Sequence, residues 1–387
     1  MWSQRLRLAL DKRQEQHLMR HCTAYQSAQG IELIEAQGRR LINFSSNDYL
    51  GLAADGAGLA TAAQRWGMGS GASHLVCGHS QAHADLEAAL AALTGYPSAR
   101  LFSTGYMANL GVISALLQRG DRLLQDKLNH ASLLDAGLLS RATCQRYAHL
   151  DLAQLRQRLT QPLAAPHLQL VATDSVFSMD GDQADLAALS QLCQAHEAWL
   201  MVDDAHGLGV LGQGRGARAH WQLSPEHLPV YMGTLGKALG GFGAFVAGDA
   251  ELIDYLTQFS RSLIYTTALP PALAEAMLMQ LPELINPQRQ AALQANIQLW
   301  HALTPTLPVL PSATPIQPLL VGSSARALAI SEHLRQQGFL VVAIRPPTVP
   351  AGQARLRITL TAAHQAEHIT QLVEALHAAL DHNPPSA

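Results

Sequence analysis

The chain has 387 residues, is 48% hydrophobic and only 14% charged, and carries a formal net charge of −3. That length favours one large and one smaller domain over a single small core. The near-neutral charge gives no nucleic-acid or polyanion signal, and so few charges leave room for a second subunit to cover part of the surface. Cys22, Cys77, Cys144 and Cys193 are scattered without a C-x-x-C pair, so neither a disulfide framework nor a zinc site is indicated and a reducing compartment is expected. The first twenty residues are charged along their length and lack the apolar core of a signal peptide, and no apolar run approaches the roughly 18 residues of a membrane span. A cytoplasmic protein is expected. The 18 histidines form no H-E-x-x-H or comparable metal spacing.

In chain order, residues 2–21 place leucines among charges and predict an amphipathic helix. Residues 31–44 predict a short hairpin turning near Gly38. S-S-N-D-Y-L-G-L opens a loop, and G-M-G-S-G-A-S-H (67–74) is a glycine-rich loop. From about 81 to 270, helical and strand patterns alternate: A-R-L-F-S, D-R-L-L-Q-D, L-Q-L-V-A-T-D, W-L-M-V-D-D and G-A-F-V-A-G read as apolar strands between helices. That alternation predicts an α/β fold with a mainly parallel sheet covered on both faces, and ligands in such sheets bind at the carboxyl ends of the strands. Residues 270–303 read as helix. The tail alternates I-Q-P-L-L-V strand, helix, F-L-V-V-A-I strand, A-R-L-R-I-T-L strand and a last helix ending near His382, a smaller α+β domain with a frayed N-P-P-S-A end. The expected division is an N-terminal segment 1–45, a large domain 46–275 and a small domain 276–387.

The chain has only three lysines, and Lys237 is the one set among glycines and apolar residues, in T-L-G-K-A-L-G-G-F-G-A. Such surroundings suit a depressed pKa and Schiff-base chemistry, although a lone lysine is more often a surface residue. V-D-D-A-H-G stands upstream at a strand end. A carboxylate there can be a turn or N-cap residue, which is the reading preferred for Asp204. Asp203 is better placed to keep a pyridine nitrogen protonated, and His206 to hydrogen-bond a phenolic oxygen. Lysine and acid together suggest a pyridoxal phosphate (PLP) enzyme. S-T-G-Y-M-A-N offers the amides of Gly105 and Tyr106 at a helix N-terminus for phosphate, and Thr234 lies close enough to Lys237 to assist. His130 can stack on a flat ring and Ser178 can offer a hydroxyl, though alone each reads as a structural residue. Arg355 and Arg357 alternate on a strand, where Arg357 can present a guanidinium to a carboxylate or form a surface salt bridge.

Together these segments, with L-I-Y-T-T-A-L-P-P and A-I-R-P-P-T-V-P-A-G-Q-A-R-L-R-I-T-L, resemble the α-oxoamine synthase family of PLP enzymes over essentially the whole chain. The resemblance implies fold type I, with a mainly parallel seven-stranded sheet and a smaller C-terminal domain. It implies PLP on Lys237, with His130 stacking on the ring, Asp203 and His206 contacting it, and Ser178, Thr234, Gly105 and Tyr106 completing the site. Lys237, His130 and Asp203 become the expected catalytic residues. Thr266 and Thr267 would reach the phosphate from a neighbouring subunit, which implies a homodimer with shared sites. Arg20, His130, Thr348 and Arg357 would contact substrate. The R-P-P-T-V-P segment favours decarboxylative condensation of L-alanine with a pimeloyl thioester, carried on acyl carrier protein or coenzyme A, over a glycine-using relative. Asp174 stands where some relatives have Glu. An aminotransferase and a non-catalytic PLP-fold regulator are the rival readings.

Overall fold

The computed structural model describes residues 1–384, so Pro385–Ala387 of the expected frayed end lie outside the described residues. The chain divides into two units. The larger comprises Asp55–Ser178 and Gln183–Gln290; the smaller comprises Met1–Ala54, Met179–Asp182 and the residues from Ala291 on.

The larger unit is built on a seven-stranded sheet. Its spatial order is Ser98–Phe102, Ala244–Gly248, Val230–Thr234, Trp199–Asp203, Gln169–Asp174, Arg122–Asp126 and Thr143–Tyr147. Only Ala244–Gly248 pairs antiparallel to its neighbours. The four central parallel strands are almost wholly buried, and three of them read as apolar runs for that reason, Val230–Thr234 not being among the runs expected. Thr143–Tyr147 escaped the sequence reading because it is a polar edge strand with exposed positions. One buried cluster holds Phe102, Val112 and Ile113, Leu123 and Leu133, Met201, Met232, and Ile253 and Leu256. It packs the helices Gly105–Leu116, Ala131–Leu139 and Ala250–Phe259 onto the sheet.

In the smaller unit, Glu32–Ile34 and Arg40–Asn43 form the expected hairpin around Gly38, whose φ of +81° suits glycine. Arg40–Asn43 also pairs in parallel with Phe339–Leu340, tying the N-terminal residues to the C-terminal ones within one unit. The single strand expected over F-L-V-V-A-I is two: Phe339–Leu340 belongs to that sheet, and Val342–Ile344 joins Ala354–Thr359 and Ile316–Gly322 in an antiparallel sheet. The N-terminal helix is shorter than the pattern suggests, Trp2–Glu15, and buries no residue. The helical stretch after Pro270 is Pro271–Gln280, a short tight turn, then Pro287–Leu303. No helix among the described residues is long and apolar enough to cross a membrane, and no group of three or more His, Cys, Asp or Glu there could hold a metal ion.

Candidate active site

Three neighbouring parallel strands end on polar residues: Asp174, Asp203 and Thr234. The register sets Asp174 opposite Asp203, and both are buried to 3% exposure. Two buried carboxylates side by side resist joint ionisation. Burial first, and then the charge of Asp203, push the Asp174 carboxyl well above its ordinary range. Asp174 Oδ2 accepts the backbone N–H of His130 at 2.7 Å, which fixes the loop leaving Arg122–Asp126. Asp203 Oδ1 accepts from the amide of Ala205 at 2.9 Å, and Oδ2 from Asn109 Nδ2 at 2.7 Å.

Beyond Asp203 the chain turns on the Asp204 carbonyl, which accepts from Gly207 and Leu208. Lys237 Nζ lies 2.7 Å from His206 Nε2 in this turn. The lysine sits in a turn closed by Leu235 N–H to Gly243 O, 2.9 Å, and by Gly241 N–H to Leu235 O, 2.8 Å. Gly243 is required there: its φ is +100°, and a Cβ would come within 3.1 Å of the Phe102 carbonyl. Thr234 Oγ1 donates to Gly243 O at 3.1 Å. Lys237 and Asp203 both bear electrostatically on His130, but crowding by protein dominates and holds its imidazole below the ordinary histidine range.

Gly105 and Tyr106 open the helix Gly105–Leu116 as expected, and Thr104 Oγ1 caps it by accepting Met107 N–H at 3.1 Å. The first amides of a helix point outward without intrahelical partners and carry the positive end of its dipole. The Tyr106 hydroxyl donates to Asp135, and its ring stands edge-on to His130 with centroids 6.4 Å apart. Ser178 is half-buried, four residues past Asp174. Thr267 bridges to Ser73 of the glycine-rich loop in its own chain, Ala268 N–H donates to Ala72 O at 3.0 Å, and Ser103 Oγ donates to Thr267 O at 3.3 Å.

Asp204, expected as a turn or N-cap residue, does more than that. It is fully buried, accepts from Ser175 Oγ and the Tyr231 hydroxyl at 2.5 Å each and from Ala217 N–H at 2.8 Å, and burial pushes its carboxyl up to about 6. It braces the 204–217 loop.

The substrate candidates Arg20, Thr348 and Arg357 belong to the smaller unit. Arg20 Nη2 donates to Thr348 Oγ1 at 3.4 Å, and both line a recess of about 310 Å³ together with His21 and Arg345. Burial first and the charge of Arg20 second lower the Arg345 pKa, so the recess concentrates positive charge. Arg355 and Arg357 are both buried, against the surface-pair alternative. Arg355 pairs with Asp180, while Arg357 Nη1 donates to Thr359 Oγ1 at 3.0 Å and also interacts with the buried Tyr49 hydroxyl.

Sequence reasoning missed Asn109 and Arg345. Asn109 and Arg345 stood inside quoted motifs, but nothing in their spacing announced their partners.

The donor set of the larger unit fits PLP. It offers an amine beside an imidazole, a buried carboxylate at a strand end, a further imidazole, and outward amides at a helix N-terminus. The chain belongs to the class I and II aminotransferase family, whose model matches residues 39–376, and its cofactor is PLP. It is 52% identical to an 8-amino-7-oxononanoate synthase from Pseudomonas savastanoi pv. phaseolicola, over 96% of this chain and 94% of that protein. It is 56% identical to one from Methylococcus capsulatus, over 88% and 89%. Among solved structures, a serine palmitoyltransferase from S. paucimobilis with a bound PLP–myriocin aldimine superposes with a TM-score of 0.89, at 27% identity over 93% of this chain and 92% of that one.

Proposed function

We propose that the chain condenses L-alanine with a pimeloyl thioester, releasing CO2 and the free thiol and forming 8-amino-7-oxononanoate. The observation that carries the chemistry is Lys237 Nζ at 2.7 Å from His206, beside the buried Asp203. The likeness to 8-amino-7-oxononanoate synthases at 52–56% identity supports the substrate pair. PLP, when bound, supplies a carbonyl for the substrate amine and an electron-withdrawing ring. Lys237 would hold the cofactor, and its amine would take the Cα proton of alanine as general base. Asp203 would keep the ring nitrogen protonated, and His206 would hydrogen-bond the phenolic oxygen. His130 would stack on the ring and donate to the thioester oxygen as it gains charge. The Gly105 and Tyr106 amides and Thr234 would hold the phosphate end, and Ser178 would offer the cofactor a hydroxyl.

Arg357 binds the alanine carboxylate, and the cationic recess of Arg20, Arg345 and Thr348 suits the acyl substrate's carboxylate. Thr266 and Thr267 reach the phosphate of a partner's site in a homodimer. Exposure of Met68, Leu75, Val76, Phe242 and Tyr265 supports an apolar contact face near those threonines. The donor thiol is carried by acyl carrier protein or coenzyme A, in the cytoplasm.

The test is a competition between alanine and glycine with pimeloyl thioester, read by product mass. Preference for alanine by at least about tenfold in kcat/KM is expected, since the pocket must favour one methyl group. Equal or better use of glycine would move the assignment to a glycine-using relative.

A further inference from the structure

A chain of hydrogen bonds runs from buried Asp203 through buried Asn109 and Ser132 to the exposed His130. Asn109 Nδ2 lies 2.7 Å from Asp203 Oδ2 and 2.8 Å from Ser132 Oγ. Ser132 Oγ lies 2.8 Å from His130 Nδ1, and the Ser132 backbone N–H approaches that nitrogen at 3.3 Å. Asn109 is fully buried and Ser132 is 1% exposed, so the protons must be accounted for inside the protein.

The backbone amide of Ser132, which can only donate, decides between the two ring tautomers. A carboxylate can only accept, so Asn109 must turn its NH2 toward Asp203. The second NH2 proton then goes to Ser132 Oγ, which is left with a single proton of its own to donate. Its remaining neighbour is His130 Nδ1, which also faces the Ser132 amide. A nitrogen approached by two donors carries no proton, so in the neutral ring the proton sits on Nε2.

We infer that Asn109 and Ser132 are positioning residues that hold His130 in the Nε2–H tautomer and tie that choice to the orientation of Asp203. The inference rests on the function proposed above. There it gives His130 a fixed hydrogen-bond donor for the thioester oxygen, and makes the residue that supports the ring nitrogen also set the donor. Protonating Nδ1 would set two donors against the Ser132 contacts.

The test is histidine-ring 15N–1H spectroscopy on 15N-histidine-labelled, cofactor-loaded protein, with the His130 signal identified by its loss in His130→Gln. The expected spectrum at pH 7–8 shows Nδ1 unprotonated and Nε2 protonated; a proton on Nδ1 overturns the inference. Ser132→Ala is expected to mix the tautomers and lower kcat by about tenfold, at the low end of what a positioned proton donor contributes, with the KM for alanine within about twofold. Ser132→Thr should restore both readouts. An unchanged tautomer in Ser132→Ala, or a changed tautomer with unchanged kcat, refutes the positioning role. The tautomer is read without substrate, so a protein that failed to condense alanine would defeat the proposed function and leave this measurement standing.

Discussion

Lys237 and Asp203 carry opposite halves of the proposed chemistry, and their variants should separate. Lys237→Ala is expected to abolish the visible absorbance of covalently held cofactor and to lower turnover by about 10³-fold or more; a variant with normal turnover would contradict the assignment. Asp203→Asn keeps the shape, and Asn109 can still donate to the new amide oxygen, yet the charge that holds the ring-nitrogen proton is gone. Its kcat should fall by about 10²-fold or more while the covalent absorbance persists. Equal loss of absorbance in both variants would mean that Asp203 only shapes the pocket. Lys237 was readable because a lysine among glycines is chemically odd. Asn109 was not, because its partner Asp203 lies 94 positions away and only the folded sheet brings them together.

Among the elements, three of the central parallel strands were legible because full burial leaves an unbroken apolar run, and the polar residues that follow them mark the carboxyl ends. What failed was pattern without burial. The N-terminal helix mimics an amphipathic one yet buries no residue, and the F-L-V-V-A-I run hides a change of sheet. In the proposed site one helix terminus contributes to the phosphate end. Thr104→Ala removes its cap and should cost about 1 kcal/mol of stability, with weaker cofactor retention on dialysis. Unchanged retention with the expected loss in Tm would show that the helix terminus does not hold the phosphate.

For the whole molecule, acid sensitivity follows from buried imidazoles. His364 is buried, stacks on Phe44 with centroids 4.1 Å apart, and burial pushes its pKa down to about 3. Unfolded, it returns to about 6.5. Between those values the unfolded chain binds the extra proton, so this contribution is complete above about pH 6.5 and is lost as pH falls toward 3. The slope is at most about 1.4 kcal/mol per pH unit. His364→Gln should therefore lose less stability than the parent between pH 7 and pH 5 in denaturant unfolding, by up to about 2 kcal/mol; parallel slopes would contradict the burial argument. A large domain followed by a smaller α+β one was expected from the alternation of elements. The joining of the N-terminal hairpin to the C-terminal strands was not, because parallel pairing of Arg40–Asn43 with Phe339–Leu340 leaves no local signature.

The central claim is that decarboxylation and acyl transfer occur together at Lys237. Carboxyl-labelled L-alanine, incubated with the protein and pimeloyl thioester, tests it most directly. One labelled CO2 should appear for each thiol released, and none without the thioester. Label retained in a product whose amino group has moved to a keto acid would contradict the account.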